Sequence, residues 1–170
     1  MVNYRGPRED VENNAVDDMK DVDGTSELGV FGGFVYQKWF VSVELLSDMG
    51  DAHDGWYSKL KGGYNCVVNE SWVVSIGASA TYADDDYMQT YFGVSTRDSR
   101  RSGLDRYDAE AGIKDVGVNL GANKIITQNW SVRGVVSYTQ LLGDASDHSP
   151  VVDDGNERQR CIPVKAVSSF

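Results

Sequence analysis

The sequence predicts an all-β protein, namely an antiparallel up-and-down transmembrane β-barrel with about eight strands visible in the chain. Segments with an apolar residue at every second position recur along its 170 residues, and Gly, Asn, Asp or Ser bound them. Three of these segments begin with a tryptophan directly after a short polar turn, at Trp39, Trp72 and Trp130. An indole at a strand end suits the boundary between lipid headgroups and hydrocarbon. The 18 glycines against 3 prolines are also typical of strands joined by tight turns.

Composition and charge argue against several classes of protein. The chain has no run of about 18 consecutive apolar residues, which a membrane-spanning helix requires. The formal net charge of -10 argues against nucleic-acid binding, because no stripe of Lys and Arg is present to neutralise phosphates. The acidic residues concentrate in residues 9–23, 48–54, 84–86 and 144–157, which we expect to be solvated loops.

The first three full strands are predicted at Thr25–Tyr36, Trp39–Asp48 and Trp56–Cys66. In the first two, apolar residues such as Val30 and Val43 alternate with small, polar or aromatic ones, as a sheet with two different faces requires. The third strand is predicted from a weaker pattern, because lysines and glycines fill one of its faces.

Three further strands are predicted at Trp72–Tyr82, Asp115–Ile126 and Trp130–Gln140. The first of them has the cleanest alternation, with aliphatic and aromatic residues on one face and Gly, Ser and Thr on the other. At about 3.3 Å per residue and a tilt of about 40°, its length spans roughly 25 Å, the height of the apolar band of an outer-membrane barrel.

The two ends of the chain and one internal segment complete the predicted elements. Arg160–Phe170 is expected to be the closing strand, and Met1–Gly6 a remnant strand too short to span the membrane. We therefore expect either an eight-stranded barrel or the C-terminal part of a larger one. Tyr87–Ser95 also has a strand pattern, and we expect it to lie in a long external excursion as a rim extension or an inward fold.

Turn lengths orient the predicted barrel. Outer-membrane barrels have short periplasmic turns and long outer loops, so we assign Gln37–Lys38, Val67–Glu70 and Thr127–Asn129 to the periplasmic side. We expect a single β-barrel domain over residues 1–170. Its predicted parts are a remnant strand with an acidic outer loop (1–24), barrel strands (25–142), an outer loop (143–157) and a closing strand (158–170).

The composition of the two faces predicts which face meets lipid. The aliphatic faces suit lipid, whereas the opposite faces carry Gly, Ser, Thr, Asn and single charges, which could not pack a dry core. A soluble lipocalin-like ligand-binding barrel, with its apolar side inward, is the alternative arrangement. The expected membrane-interface aromatics are Trp39, Trp72, Trp130, Tyr82, Tyr138 and Phe170, and the expected lumen charges are Glu44, Lys59, Lys61, Asp115 and Arg133.

The lumen charges have two readings, and the sequence leaves both open. Opposite charges on facing strands could pair across a narrow interior and fill it, as in small barrels. Alternatively, they line a small-solute outer-membrane channel.

No residue pattern indicates catalysis, a metal site or a cofactor, so we expect a protein that is not an enzyme and binds no cofactor. His53 and His148 lie in acidic segments and are expected to be solvated loop residues. The aspartates at 84–86 could bind calcium loosely, although screening at a loop rim is the simpler interpretation. Cys66 and Cys161 could pair if their Cβ atoms lie close together, which the sequence leaves open.

Four segments in order resemble the MltA-interacting protein (MipA/OmpV) family. They are Ala83–Val94, Tyr107–Gly117, Asn129–Val132 and Tyr138–Pro150, and the similarity extends over roughly residues 8–155. The resemblance implies a β-barrel in the cell outer membrane of Gram-negative bacteria, in contact with outer-membrane lipid. Because members of the family begin with a signal peptide and further N-terminal strands, the resemblance also implies an N-terminally truncated barrel.

The resemblance further implies a function in protein interaction. The member that names the family is regarded as a scaffold that links a lytic transglycosylase to a peptidoglycan synthase, and other members are described as antigens or adhesins. By this resemblance, the expected function is a non-enzymatic scaffold for peptidoglycan-remodelling enzymes, which would be its protein partners.

Overall fold

The computed structural model describes residues 1–5, 24–50, 53–127 and 129–146, together with the backbone of residues 158–161 and 164–168. Within these residues the chain forms antiparallel strands, two short helices and one 3-10 turn at Gly143–Ala145. The strands are β1 (Val2–Arg5), β2 (Thr25–Tyr36), β3 (Trp39–Asp48), β4 (Trp56–Asn69), β5 (Trp72–Ala83), β6 (Gly112–Ile125), β7 (Trp130–Leu141), β8 (Arg158–Cys161) and β9 (Val164–Ser168), and the helices are α1 (Asp85–Phe92) and α2 (Thr96–Ser102).

All the described strands belong to one sheet. Strands β1 to β8 follow one another in chain order, and β9 also pairs with β7. The sheet curls into a half-barrel. The curl brings Arg5 of β1 and Thr139 of β7 to the wall of one cavity, although five strands lie between β1 and β7 in the sheet. The predicted all-β, antiparallel, up-and-down barrel architecture is confirmed.

Strand boundaries agree closely with the predictions from alternation. β2 and β3 have the predicted limits, and β5 and β7 each extend one residue further. β4 continues to Asn69, three residues beyond the predicted end. Its register against β5 shifts between Val67 and Asn69, close to the turn that joins the two strands. The alternation therefore located these strands correctly, and the errors lie at strand ends, where fewer side chains contact the neighbouring strand.

The predicted closing strand is divided. β8 and β9 both pair with β7, and Ser137 opposite Cys161 and Gly134 opposite Val164 belong to the same register. The two strands therefore behave as one edge strand interrupted at residues 162 and 163, which lie outside the described residues. One of these two residues is Pro163, and a proline is compatible with a sheet only at an edge or a bulge because it cannot donate a ladder hydrogen bond.

The connections between strands are asymmetric, as the sequence predicts. At one end of the sheet, the short-turn end, the connections are residues 37–38, 70–71 and 126–129. At the other, the long-loop end, they are residues 6–24, 49–55, 84–111 and 142–157. Gln37 begins the first short turn with a φ of 54°, the left-handed conformation that two-residue hairpins require.

The two faces of the sheet differ in the predicted sense. On the convex face Ile76 is 60% exposed and Val118 is 58% exposed. On the concave face Ser75 and Thr81 are buried, although the half-barrel is open on that side. The aliphatic residues therefore do not form a dry centre, and the orientation expected of a membrane barrel is the observed one.

Small residues on the concave face allow the sheet to bend. Gly63 lies directly beneath the ring of Phe40, and a Cβ atom at Gly63 would stand 2.6 Å from Phe40 Cζ. A Cβ atom at Gly121 would similarly stand 2.5 Å from Ser75 Oγ. Glycine at such positions lets side chains and backbone approach closely on the inner side of a curved sheet.

The prediction of a strand at Tyr87–Ser95 is wrong. Residues 85–92 form the helix α1, which begins after Asp84, whose carboxylate accepts a hydrogen bond from the backbone N–H of Tyr87. Tyr87 and Met88 are buried by α1 against the long-loop end of the sheet, together with Ala83, Ala109 and Ala145. The inward fold expected for this segment is observed, but it is helical.

Two further features bear on the membrane. Among the residues that the structure describes, no helix is long and apolar enough to cross a bilayer. Of the described strands, β1 forms one edge of the sheet and β8 with β9 the other. Hydrocarbon does not tolerate unpaired strand edges, so both edges need strand partners when the sheet lies in lipid.

Candidate functional site

The concave face of the half-barrel concentrates the polar chemistry of the described residues. At the long-loop end, Glu27 of β2 is fully buried and accepts hydrogen bonds from three side chains. Arg5 Nε and Asn3 Nδ2 each lie 2.7 Å from its carboxylate, and Tyr57 Oη lies 3.1 Å away. A carboxylate buried in this way is kept ionised by its pairing with the guanidinium.

The guanidinium of Arg5 also lies among three tyrosine rings. Its Cζ atom is 5.3 Å from the ring centroid of Tyr57, 5.2 Å from that of Tyr87 and 5.4 Å from that of Tyr91. We call Arg5, Glu27, Tyr57, Tyr87 and Tyr91 the Arg5 cluster. It joins β1, β2 and β4 to α1, so this cluster holds the helix of the third long connection against the concave face.

Burial changes the acid–base behaviour of the helix tyrosines. Desolvation raises the pKa of Tyr87 and of Tyr91 to about 12 each, although the nearby positive charge of Arg5 acts in the opposite direction. Both phenols therefore stay neutral and can act as hydrogen-bond donors across the physiological range.

The expectation of solvated loop histidines is wrong for His53. This residue is 4% exposed, and its ring packs against Tyr87 and Tyr91 with centroid distances of 5.1 and 5.6 Å. His53 Nδ1 accepts a hydrogen bond from the backbone N–H of Gly55, and Nε2 lies 3.6 Å from Glu27 Oε1. His53 thus packs over the Arg5 cluster, which buries its ring. His148 lies outside the described residues.

Two aspartates beside the long connections, Asp48 at the end of β3 and Asp84 before α1, have structural partners in place of solvent. Asp48 accepts hydrogen bonds from the hydroxyl of Thr25 and from the backbone N–H groups of Gly50, His53 and Asp54. Asp84 caps α1 and also accepts from the backbone N–H of Trp56 at 3.0 Å. The prediction that residues 48–54 and 84–86 are simply solvated is therefore wrong for these two aspartates.

A β-bulge at the start of β6 places two opposite charges side by side. Thr81 pairs with Asp115 and Tyr82 with Ile113, so Lys114 is the extra residue of the strand. A bulge redirects side chains, and here Lys114 Nζ lies 2.6 Å from Asp115 Oδ2. Thr81 Oγ1 donates to the other oxygen of Asp115 at 2.8 Å. Lys114 and Asp115 border a cavity of about 260 Å³, together with Arg5, Tyr87 and Tyr91 of the Arg5 cluster.

The bulge is a feature that sequence reasoning missed. Asp115 was expected in the lumen and Lys114 was not. A signal was available, because the apolar alternation that includes Val116 and Val118 slips by one residue before it reaches Ile113. Both Ile113 and Val116 are exposed on the convex face, as a bulge between them requires.

A second cavity, of about 330 Å³, lies nearer the middle of the concave face and is lined from β3 to β7. We call it the basic trough, because Lys59, Lys61 and Arg133 line it and no carboxylate of the described residues does. Glu44 forms an ion pair of 2.5 Å with Lys61 at its border. The remaining polar lining comes from Ser79, Asn119, Ser137 and Thr139.

The five charges expected in the lumen thus lie on the concave side in two groups. Lys59, Lys61 and Arg133 line the basic trough, whereas Glu44 pairs with Lys61 at its border and Asp115 pairs with Lys114 at the wall of the first cavity. The Glu44 to Lys61 pair joins neighbouring strands. No ion pair of the described residues crosses the interior between distant strands.

Five of the six aromatic residues expected at the membrane interface lie on the convex face. Trp39, Trp72 and Trp130 are the first residues of β3, β5 and β7, all at the short-turn end. Tyr82 lies at the long-loop end, and Tyr138 lies three residues before the end of β7. Phe170 lies outside the described residues.

Several aromatic contacts at these ends were not anticipated. Trp56 opens β4 at the long-loop end, where its ring lies 5.7 Å from that of Tyr82. At the short-turn end Lys124 Nζ lies 5.4 Å from the ring centroid of Trp72, and Trp39 meets Tyr64 edge to face at 4.9 Å. Aromatic rings paired with lysines whose stems lie along apolar surface are typical of membrane interfaces.

Comparison with known proteins connects this geometry to a family. The chain matches the family described as MltA-interacting protein MipA over residues 1–160. The chain belongs to this family. With the family, the aliphatic convex face and the antiparallel half-barrel taken together, this MipA-family chain is an outer-membrane β-barrel protein.

Relatives of this MipA-family chain include two proteins of Escherichia coli strain K12. The MltA-interacting protein is 27% identical over 135 residues, which cover 79% of this chain and 53% of the relative. YiaT, provisionally named an outer membrane protein, is 26% identical over 146 residues, which cover 85% of this chain and 57% of the relative. The chain thus spans about half the length of the curated relatives it matches. No solved structure matches it.

Proposed function

We propose that this chain acts in the outer membrane as a non-enzymatic scaffold that binds a lytic transglycosylase from the periplasmic side. The observation that carries the proposal is the match over residues 1–160 to a family named for interaction with MltA, a lytic transglycosylase. We propose in addition that a peptidoglycan synthase is the second partner of the scaffold. In this reading the strands anchor the assembly in lipid, and the surface between them and the periplasm recruits the enzymes.

The short-turn end is the surface that we propose for the transglycosylase. Short turns of outer-membrane barrels face the periplasm, where peptidoglycan is remodelled. This end exposes charged and apolar side chains together, including Lys38, Glu70 and the neighbouring Val67 and Val68. Interfaces that are mixed in this way gain specificity from charge and affinity from apolar contact.

The binding experiment uses the full chain in detergent micelles and a purified, immobilised lytic transglycosylase of the MltA type. We expect reversible binding, and we expect Lys38→Glu combined with Glu70→Lys to weaken it about tenfold, since reversing charges at an interface replaces attraction with repulsion. Surface plasmon resonance would give both rate constants.

A matched control reverses charge at the opposite end of the sheet. Arg101 is exposed in α2 at the long-loop end, so Arg101→Glu should change the affinity by less than about twofold. Absence of binding by the unmodified chain, or an equal loss in Arg101→Glu, would contradict the proposed surface.

The scaffold proposal also makes a statement about catalysis. Incubated with purified peptidoglycan, the chain alone should release no soluble fragments, whereas the transglycosylase should release them with or without the chain present. The second partner is tested by adding a purified peptidoglycan synthase to the micelle-bound chain. If the synthase binds weakly alone and more tightly when the transglycosylase is present, the two enzymes assemble cooperatively on the chain. Release of fragments by the chain alone would contradict a non-enzymatic function.

A further inference from the structure

We propose that the basic trough on the concave face binds a small solute that carries a carboxylate or a phosphate. Within the described part of the chain, three cations, four neutral hydrogen-bonding side chains and no carboxylate line this cavity of about 330 Å³. This volume is at the lower end of the range of small-molecule sites, so a solute of about monosaccharide size fits it. The site is distinct from the surface that we propose for a transglycosylase, and the two proposals can fail independently.

Among the described residues, neighbouring acids pair with one of the three cations of the trough, Lys61, and with neither of the other two. Glu44 lies opposite Lys59 in the register of β3 and β4, yet its carboxylate forms the ion pair with Lys61. Asp115, on the other side of Lys59, accepts from Thr81 and pairs with Lys114. Lys59 has no ion-pair partner among the described side chains.

Arg133 is in the same situation on the far side of the trough. It belongs to β7, it is exposed, and within the described part of the chain no carboxylate lies within ion-pair distance of it. An anion between the ammonium of Lys59 and the guanidinium of Arg133 would satisfy both groups. Guanidinium and ammonium groups form their strongest hydrogen bonds with carboxylate and phosphate oxygens.

The neutral lining supplies hydrogen bonds for the rest of the solute. Ser79 and Thr139 flank Gly117, and a Cβ atom placed at Gly117 would lie 3.0 Å from Ser79 Oγ and 3.2 Å from Thr139 Oγ1. Asn119 and Ser137 follow in the next register pair. Hydroxyl and amide groups that both donate and accept are suited to the hydroxyls of a sugar or a similar polar solute.

A phosphate could also come from a lipid headgroup, but the position of the trough favours a soluble ligand. The trough opens on the concave side, while the aliphatic residues that suit acyl chains lie on the convex side. A lipid whose headgroup filled the trough would have to place its acyl chains against polar side chains, which is unfavourable.

Calorimetric titration of the full chain in neutral detergent micelles tests the site with glucuronate and inorganic phosphate as probes. We expect saturable binding of at least one of the two anions and no comparable binding of glucose or glucosamine. Arg133→Gln and Lys59→Gln should each weaken the binding about tenfold, because each removes a charge-assisted hydrogen bond. Lys124→Gln removes the same charge from the convex face and should change the affinity by less than about twofold.

Three outcomes would overturn the inference. The first is the absence of saturable binding of both anions, and the second is equal affinity in the unmodified chain and in Arg133→Gln and Lys59→Gln. The third concerns the source of the anion: if micelles doped with phosphatidylglycerol abolish glucuronate binding in the unmodified chain, the trough takes a lipid headgroup and not a soluble anion. Unchanged glucuronate affinity in doped micelles supports the soluble ligand.

Discussion

Glu27 shows how one residue determines the organisation of a whole end of the sheet. Its carboxylate is fully buried and receives hydrogen bonds from β1 and β4, while His53 approaches from the loop between β3 and β4. A buried carboxylate is compatible with a stable fold only while its partners stay in place, because burying an ionised carboxylate without partners costs a large free energy.

We predict that Glu27→Gln lowers the free energy of unfolding by about 2 to 4 kcal/mol, because it removes the counter-charge of Arg5 and at least one hydrogen bond. Urea unfolding in micelles, followed by tryptophan fluorescence, measures the loss. Glu110→Gln is a matched control, since Glu110 is exposed and its removal should cost less than about 0.5 kcal/mol. Equal losses in the two variants would contradict the structural importance of Glu27.

The helix tyrosines predict how stability depends on alkaline pH. Burial raises the pKa of Tyr87 to about 12, above the value of about 10 in an unfolded chain. The folded state therefore keeps the phenol neutral, and this contribution to stability is fully present below pH 10 and is lost as pH rises from about 10 to 12. Tyr91 acts in the same sense.

We accordingly expect Tyr87→Phe to lose less stability between pH 9 and pH 11 than the unmodified chain does. Unfolding by urea at the two pH values measures this difference, and absorbance at 295 nm follows the ionisation of tyrosine directly. Tyr4→Phe, at an exposed position in β1, is the control and should leave the alkaline loss unchanged. The expectation is wrong if both variants behave like the unmodified chain.

At the scale of elements, α1 shows why a local pattern was misinterpreted. Its sequence has aromatic residues that suit a strand, but Asp84 provides an N-cap and Asp85 and Asp86 place negative charge in the first turn. Tyr87 and Tyr91 are one helical turn apart, so both rings lie on the same side of α1 and both contact the guanidinium of Arg5. Capping and tertiary contact together outweigh the strand propensity of the aromatic residues.

The cap itself can be tested by substitution. Asp84→Ala removes the acceptor for the backbone N–H groups of both Tyr87 and Trp56, so we predict a loss of about 1 to 2 kcal/mol in the free energy of unfolding and faster proteolysis within residues 93–111. The control is Asp86→Ala, because Asp86 is exposed and lies in the first turn of the same helix, two residues after Asp84. This substitution should cost less than about half as much free energy of unfolding. Limited proteolysis and urea unfolding report the two effects, and equal behaviour of the two variants would show that the cap contributes little.

The bulge of β6 is the second element-scale lesson. It places Lys114 next to Asp115, and the two form an ion pair. Asp115 is therefore not available to neutralise the charge of Lys59. A one-residue insertion in the alternation thus affects the charge of a cavity that is lined from β3 to β7. The break in the apolar alternation between Ile113 and Val116 indicates the bulge in the sequence. The effect of the bulge on the charge of the cavity, however, depends on which strand lies next to β6.

At the scale of the whole molecule, the convex and concave faces determine where the protein can reside. The convex face exposes aliphatic residues from several strands, an arrangement that water disfavours and acyl chains favour. The concave face carries small and charged residues, which lipid disfavours.

A pair of adjacent substitutions in β7 tests this assignment. Val136 is exposed on the convex face, whereas Ser137 lines the basic trough. An arginine on the lipid face near the bilayer midplane costs about 2 to 4 kcal/mol, whereas a substitution facing the lumen is better tolerated. We therefore predict that Val136→Arg strongly reduces the fraction that folds into phosphatidylcholine vesicles, and that Ser137→Arg does so much less. The difference in gel mobility between boiled and unboiled samples measures the folded fraction, and the reverse order would contradict the assignment.

Much of the fold could be predicted because alternation is a local property. The limits of β2 and β3 and the asymmetry between short turns and long loops all follow from nearest neighbours in the chain. The composition of the faces predicted their orientation for the same reason, since Ile76 and Ser75 are adjacent residues with opposite preferences. Segments without alternation, such as the long connections, carry no comparable signal.

The candidate site could be predicted only in part. Lys59, Lys61 and Arg133 were expected to share the lumen face, yet their grouping in one cavity without an acid depends on the partners of Glu44 and Asp115. The Arg5 cluster was not predicted, because its residues come from β1, β2, β4 and α1 and meet only when the sheet curls.

By itself, the sequence determined the strands, their two faces, the end that carries the short turns and the family, because each depends on residue types at short spacing. Only the tertiary structure decided that α1 folds inward, that His53 is buried and that Lys59 and Arg133 line one cavity without an ion-pair partner among the described residues. The physical reason is that burial and pairing depend on residues far apart in the chain. A curved sheet brings such residues within a few ångströms of each other. The electrostatic energy of a charged side chain then depends on the neighbouring charges and hydrogen-bond partners at that place.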